Sequence, residues 1–330
     1  MSTRLYDAAK LTVVTGGAGF IGSCVIRELN DREIDSIVVV DSLGSDEKWK
    51  NLVGKSFCDI VPEALLFDWL SSKPSSIGGI IHLGACASTV ETNADFLLEN
   101  NYRFTRRLLE FALQHRIRCV YASSAATYGD GSSGFTDSHE QLESLKPLNM
   151  YGYSKHLIDL WLYRNKLLNS VVGIKYFNVF GPNEWHKGRM ASYVLKVVPQ
   201  ILASGKVDLF RSHRPDFKDG EQQRDFIYVK DAAAITCDLL DSDAGGIFNV
   251  GAGEAVSWNR LARAVFSALD RPPRIEYIPM PPDLIDKYQY FTQADVAKTE
   301  SALNRKLCRY TLEDAVADYV KAHLLQELRW

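Results

Sequence analysis

The sequence predicts an α/β protein built on a doubly wound parallel sheet, with a smaller mixed α/β lobe attached. Three observations carry that expectation. Short runs rich in β-branched residues are apolar almost throughout, which marks strands buried on both faces rather than half-solvated ones. Amphipathic segments of helical length separate them, the alternation that produces a parallel sheet covered on both sides. With 330 residues, the chain also exceeds an ordinary single domain, so two lobes are expected.

The elements follow in order. LTVVTGG (11–17) is the first strand, and a helix runs from about Ile21 to Asn30. SIVVVD (36–41) is the second strand, followed by a helix near 62–71, the strand GGIIHLGA (78–85) and a long helix from Asp95 to His115. RCVYASS (118–124), a helix from Tyr151 to about Leu168 and the strand VVGIKYFNVFG (171–181) continue the alternation. After Gly181 the pattern changes: a helix over 190–204 leads into the polar stretch RSHRPDFKDGEQQ (211–223), then a strand at DFIYV (225–229) and, beyond Gly253, helices around the proline-rich RPPRIEYIPMPPD (271–283). The expected division puts 1–177 and 224–250 in the main domain, with 224–250 returning to the main sheet, and 178–223 and 251–330 in the smaller lobe.

Composition excludes several classes. Lys plus Arg number 38 against 41 Asp plus Glu, a net charge of −3, so no basic surface for nucleic acid is expected. No apolar run is long enough for a signal peptide or a membrane span, and a cytoplasmic protein is the expectation. The six cysteines, Cys24, Cys58, Cys86, Cys119, Cys237 and Cys308, are dispersed without ligand spacing. They read as reduced, mostly buried thiols, with neither a disulfide framework nor a metal site.

TGGAGFIG places Gly16, Gly19 and Gly22 between an apolar strand and a helix. The first permits a tight turn, the second lets backbone approach a pyrophosphate, and the third allows close helix–strand packing, while the helix N-terminus offers N–H donors to an anion. Asp41 ends the second strand about twenty residues on, where an acid meets an adenosine ribose in a Rossmann domain. It favours a free 2′-hydroxyl and hence NAD, whereas Lys48 and Lys50 suit a 2′-phosphate and hence NADP; on these grounds both stay open. YGYSK (151–155) sets Tyr151 and Lys155 four apart on one helical face. An ammonium near the phenol, together with a positive nicotinamide ring, lowers the tyrosine pKa and makes it an acid/base at neutral pH. Ser124 lies just past an apolar strand, where such sheets bind ligands, and its hydroxyl can hold a reacting oxygen.

With these motifs the chain resembles the extended short-chain dehydrogenases/reductases that act on nucleotide sugars. TGGAGFIG, HLGA (82–85), SSAATYG (123–129), YGYSK and YFNVFGP (176–182) occur in that family's order. The resemblance implies a cofactor site formed by Gly16, Gly19, Phe20, Ile21, Gly22, Asp41, Ser42, Lys48, Leu83, Gly84, Ala85, Cys86, Ala87, Asn100, Lys155, Val179 and Lys187. It implies a catalytic set of Ser124, Tyr151 and Lys155. Dehydratases of the family carry an acid beside the serine position; here Ala125 and Ala126 stand there, which argues against dehydration. Leu83 replaces the acid usual after the third-strand histidine, and 211–223 is longer than the family's loop.

NVFGPNEWHKGRMAS (178–192) narrows the resemblance to the ADP-L-glycero-D-manno-heptose 6-epimerases, as do KPLNMYGYSK (146–155) and YQYFTQAD (288–295). In those enzymes the tyrosine and the lysine of the H-K-G stretch are two acid/base groups on opposite sides of the sugar. They correspond to Tyr151 and Lys187. Inverting an exocyclic carbinol requires its carbonyl to turn over, so its oxygen meets a different proton donor afterwards. The resemblance further implies substrate contacts from Ser124, Asn178, Arg189, Lys196, Phe210, Arg224 and Tyr288, NADP as cofactor with NAD possible, an ADP-heptose substrate and a homo-oligomer. A UDP-hexose 4-epimerase and a non-catalytic NADP-binding scaffold are the competing readings.

Overall fold

The computed structural model describes residues 5–285 and 288–330. Its first part alternates as expected: β1 (Leu11–Thr15), α1 (Phe20–Asp31), β2 (Ile37–Val40), β3 (Asp59–Val61), α2 (Leu66–Ser72), β4 (Ile77–His82), α3 (Ala94–Leu97), α4 (Phe104–His115), β5 (Arg118–Ser124), α5 (Met150–Arg164) and β6 (Val172–Tyr176). The second part runs β7 (Asn178–Phe180), α6 (Tyr193–Ser204), β8 (Val207–Phe210), β9 (Gln223–Tyr228), α7 (Val229–Asp241), β10 (Gly246–Val250), β11 (Ala255–Ser257), α8 (Trp258–Ala268), β12 (Ile275–Ile278), α9 (Pro282–Ile285), α10 (Ala297–Leu303) and α11 (Leu312–Asp318).

Seven strands form one sheet in the order β10-β6-β5-β4-β1-β2-β3, with every pairing parallel. The period of two along each strand sends neighbours to opposite faces. Val13, Val38, Ile80 and Cys119 pack with Leu70, Leu108 and Ile158 of α2, α4 and α5. Val14, Val39, Ile81 and Val120 pack with Ile26 of α1 and Ile235 of α7. Each fully buried aliphatic side chain contributes about 1.5–3 kcal/mol, which favours the Val and Ile residues that fill both faces of the sheet. The second cluster continues through Ile201, Leu209 and Phe266 into the smaller lobe.

Four departures from the expected elements matter for the site. The run 171–181 is two strands rather than one: at Phe177, whose N–H donates to Val250 O at 3.0 Å, the chain leaves the main sheet, and β7 pairs with β9 instead. The strand expected at 225–229 forms, but as the centre of a three-stranded sheet β11-β9-β7; only α7 and β10 of the 224–250 segment return to the main domain. The long helix 95–115 contains a widened turn at Leu98–Arg103, a local irregularity of the kind that accompanies functional positions. The helix expected from 190 begins at Tyr193, because Ser192 caps it by accepting from Leu195 N at 3.4 Å. Within the proline-rich stretch, β12 forms and pairs in parallel with β8.

All six cysteines are free: Cys24, Cys119 and Cys237 are buried, Cys86 and Cys308 partly so, and Cys58 is exposed, against the expectation of burial. Cys58 lies in the short connection to β3, a strand the sequence reading did not contain. No helix among the described residues is long and apolar enough to cross a membrane.

Candidate active site

A cleft of about 820 Å³ opens at the carboxyl ends of β1, β4, β5 and β6, the position at which doubly wound sheets hold ligands. It is lined by the glycine-rich turn, by Asp41, Ser42 and Lys48, by 83–89, by Asn100, and by Ser124, Tyr151, Lys155, Val179, His186 and Lys187. The catalytic candidates and the cofactor residues that the resemblance implies therefore meet at one place, whereas Lys50, also weighed for a 2′-phosphate, does not line the cleft and pairs with Glu47 at 2.5 Å.

The turn after β1 is shaped for close approach. Gly16 has φ +65°, and a Cβ there would lie 2.7 Å from Gly84 N. At Gly22 a Cβ would sit 2.1 Å from Gly16 O, so α1 can pack this tightly against the turn only without a side chain. No side chain caps α1, which leaves N–H donors of its first turn for an anion. These features fit a dinucleotide pyrophosphate. Thr15 fixes the facing loop: its hydroxyl accepts from Gly84 N at 3.1 Å and pairs with His82 Nδ1 at 2.6 Å. His82 Nε2 reaches the Thr105 hydroxyl at 2.8 Å, and burial pulls this imidazole down to about 3, so it is a neutral strut.

The widened helical turn sets two asparagines. Asn100 lines the cleft. Asn101, which the sequence reading passed over, is fully buried; it accepts from Cys86 N at 2.9 Å and donates to Cys86 O and Ser154 Oγ, each at 3.0 Å. It ties the 84–87 loop to the helix carrying Tyr151. At the ribose end, one Asp41 oxygen accepts from Ala18 N at 2.9 Å and the other from Lys48 Nζ at 2.7 Å. His186 also lines the cleft.

Asn149 caps α5 by accepting from Gly152 N at 2.8 Å, which puts Tyr151 in the first helical turn and Lys155 one turn on. The Tyr151 phenol is pushed above its ordinary value by burial, and its hydrogen bond with Ser124 works against that shift. This differs from the sequence expectation, in which the ammonium lowered the phenol. Lys155 Nζ instead donates to Ala122 O at 2.9 Å. Burial brings Lys155 down to about 8, with Asp159 opposing. Because the ammonium is the form that supports a phenolate, activity is expected to fall as pH rises through about 8; a pH profile of kcat/KM checks this, and an alkaline limb displaced to the ordinary lysine value would contradict it.

Beneath these groups lies a buried ion pair. Lys175 Nζ sits 2.9 Å from Asp159 Oδ2, both side chains fully buried. Asp159 also accepts from Tyr121 OH at 2.9 Å and Ser123 Oγ at 2.8 Å, while Lys175 donates to Thr127 Oγ1 and lies over the Tyr128 ring.

Lys187 stands on a short turn, Trp185–Met190, that bends at Gly188 with φ +50°. Glu184 holds the turn from behind: its carboxylate accepts from Ser192 N at 2.6 Å, Ser192 Oγ at 2.5 Å and Tyr319 OH at 3.1 Å. Burial lowers the Lys187 ammonium from its ordinary value, with Glu184 opposing and Lys196 adding to the shift. Its Nζ lies 4.9 Å from the centre of the Phe20 ring.

Of the substrate candidates only Ser124 lines this cleft; Asn178, Arg189, Lys196, Phe210, Arg224 and Tyr288 do not. They fall into smaller groups. Lys196 Nζ donates to Arg189 O at 2.7 Å, and Asn178 is exposed at the start of β7. Phe210 ends β8. Arg224 is buried over the Tyr288 ring at 5.2 Å; it donates to Gln223 O at 2.8 Å, and no carboxylate pairs with it among the described residues. Among the described residues no group of three or more His, Cys, Asp or Glu side chains is placed to hold a metal ion.

A glycine cradle, a ribose acid and a Ser-Tyr-Lys group at the mouth of a parallel sheet define the class: nicotinamide-dependent enzymes that oxidise or reduce a carbinol. Residues 12–251 match the model of the NAD dependent epimerase/dehydratase family, and the chain belongs to that family. It is 50% identical over 316 residues to the ADP-L-glycero-D-manno-heptose-6-epimerase of Nitratidesulfovibrio vulgaris strain Hildenborough, covering 94% of this chain and 97% of the relative. It is 43% identical to the protein of the same name from Fusobacterium nucleatum, covering 96% and 99%. Among solved structures, the Helicobacter pylori ADP-L-glycero-D-manno-heptose-6-epimerase matches with TM-score 0.80 at 28% identity, over 96% of this chain and 97% of that one. The UDP-N-acetylglucosamine 4-epimerase of Methanobrevibacter ruminantium matches with TM-score 0.79 at 26% identity, over 96% and 99%.

Proposed function

We propose that the chain inverts C6 of ADP-D-glycero-β-D-manno-heptose to give the L-glycero epimer, a precursor of the lipopolysaccharide inner core. The observation that carries this reading is that Lys187, on its own turn, lines the same cleft as Tyr151 and Ser124. Two lysine- and tyrosine-borne acid/base groups suit a carbinol that must lose a proton on one side and regain it on the other; the full-length relatives bear the matching name. A nicotinamide dinucleotide would be held by the glycine turn, Asp41, the 83–87 loop and Lys155, and would supply reversible removal of hydride from C6. Ser124 and Tyr151 hold the reacting oxygen, and Lys187 serves it after the carbonyl has turned over. The lobe formed by 178–228 and 251–330 takes the nucleotide sugar, with Arg224 as a diphosphate contact: a buried guanidinium without a carboxylate partner among the described residues suits an anion. We place the enzyme in the cytoplasm as a homo-oligomer, as its resemblance to the 6-epimerases implies.

The test is a substrate comparison, ADP-heptose against UDP-glucose and UDP-N-acetylglucosamine. Turnover confined to the heptose supports the reading; turnover of a UDP-hexose alone replaces it with a ring C4 epimerase. For the cofactor we favour NADP, because Lys48 already stands 2.7 Å from Asp41 and offsets the repulsion between that acid and a 2′-phosphate. Lys48→Ala is expected to weaken NADP binding about tenfold or more, the cost of a lost charge-assisted contact, and to leave NAD binding unchanged. Titration of both cofactors checks it; equal losses would assign Lys48 no part in the choice.

A further inference from the structure

Asn51 is buried, with 1% of its surface exposed, and lies at the end of the short turn Glu47–Leu52 that carries Lys48. Its amide nitrogen donates to Ala18 O in the glycine-rich turn at 3.0 Å, to Asn183 O at 3.1 Å and to His186 Nδ1 at 3.3 Å. Its amide oxygen accepts from Arg329 Nε at 3.0 Å. A guanidinium N–H cannot face an NH₂ group favourably, so Arg329 fixes which way the amide points. Two N–H hydrogens are therefore presented to three acceptors, which belong to the two segments behind different walls of the cleft, the glycine-rich turn and the stretch 183–186, of which His186 itself lines it.

Those walls have separate tasks. Ala18 is the residue whose N–H binds Asp41 at 2.9 Å, within the cradle expected to hold the pyrophosphate. Asn183 and His186 flank the start of the turn that presents Lys187. Asn183 itself adopts a left-handed backbone, φ +75°, a conformation that needs support from its surroundings. Its side chain is held in turn by Trp330 N at 2.9 Å and donates to Ser23 Oγ at 3.0 Å. Burial holds the His186 imidazole below its ordinary value, in keeping with a neutral ring that accepts at Nδ1.

We propose that Asn51 is a positioning residue that ties the cofactor cradle to the Lys187 turn, so that one side chain sets both how firmly the dinucleotide is held and where the second acid/base group stands. It touches neither reacting atoms nor, by itself, the cleft. The inference rests on the assignment of Lys187 as an acid/base group.

The experiment is a double-mutant cycle on the purified holoenzyme with Asn51→Ala and Lys187→Ala, reading turnover per bound cofactor and the rate of cofactor release. In the native background Asn51→Ala is expected to lower kcat per bound cofactor about ten- to a hundredfold, the effect of displacing a reacting group by about an ångström, with KM kept and cofactor release faster. In the Lys187→Ala background the same substitution is expected to speed release but to leave the residual kcat alone, because its effect on turnover runs through the missing lysine. A merely structural role would lower stability and cofactor occupancy without changing kcat per bound cofactor; that outcome, or an equal loss in both backgrounds, overturns the proposal. Should Asn51→Ala not fold, Asn51→Asp, which keeps the contact with Arg329 but cannot donate to Ala18 O, Asn183 O or His186, decides by the same two readouts. A Lys187→Ala protein as active as the native one would instead remove the two-base reading, and is told apart because it shows in the single variant.

Discussion

Lys187→Ala is expected to lower epimerisation per bound cofactor by about 10² to 10⁴, the range for loss of a working acid/base, while leaving the fold intact. Lys187 sits on a turn whose backbone is fixed by Glu184 and Ser192 and whose exposed neighbours, Gly188 and Arg189, pack little, so truncation costs the core nothing. Its ammonium is already lowered by burial, which makes giving and taking a proton near neutral pH easier than for a solvated lysine. Tyr151 and Ser124 still operate in the variant, so one epimer should still be oxidised, and the expected signature is bound cofactor that becomes reduced on adding substrate without forming the other epimer. Rapid quench with absorbance of the bound nicotinamide separates this from a binding defect. Native turnover in Lys187→Ala would return the site to a one-base scheme.

Asp159→Ala is expected to destabilise the fold by about 3–5 kcal/mol, the cost of leaving one member of a buried ion pair without its partner. Lys175 would keep Thr127 and the Tyr128 ring face, neither of which carries a charge, and Tyr121 and Ser123 would lose their acceptor. A double variant, Asp159→Leu with Lys175→Met, should recover much of the loss, since replacing a whole buried pair by apolar groups is often neutral. Denaturant unfolding of the three proteins checks both statements. Asp159 also raises Lys155, one helical turn away, so the milder Asp159→Asn should move the alkaline limb of activity to lower pH. A single variant as stable as the native protein would show that this pair is not held as tightly as its burial implies.

The comparison of sequence and structure divides along physical lines. Strands apolar throughout could only be the inside of a covered sheet, and Gly16 and Gly22 sit where a Cβ has no room, so the main domain and its glycine turn were legible. The break at Phe177 was not, because both halves of VVGIKYFNVFG are equally apolar and the difference lies in which neighbour each half finds, β10 and β5 for one and β9 for the other. The Tyr151, Lys155 and Ser124 group was readable from spacing. Its supports were harder: Asp159 and Lys175 each stand as a single charge in an apolar run, a signal that points to a buried pair, whereas Asn51 lies in a polar segment, KWKNLVGK, where nothing distinguishes it. Asn101 sits beside Asn100, and only the widened turn decides which of the two faces inward. The substrate candidates 178, 189, 196, 210, 224 and 288 are spread over the smaller lobe, where contacts depend on how distant loops meet, and spacing alone says little about that.

The central claim is that the hydrogen lost from C6 is the one that returns. The direct measurement is to incubate the purified protein, with no added cofactor, with ADP-D-glycero-β-D-manno-heptose carrying deuterium at C6 in ordinary water, and to follow C6 by NMR. The account predicts the L-glycero epimer with deuterium kept at C6. An epimerised product carrying a solvent proton at C6 would contradict it, since the inversion would then run by proton exchange at carbon and the roles given to Tyr151 and Lys187 would have to be rewritten.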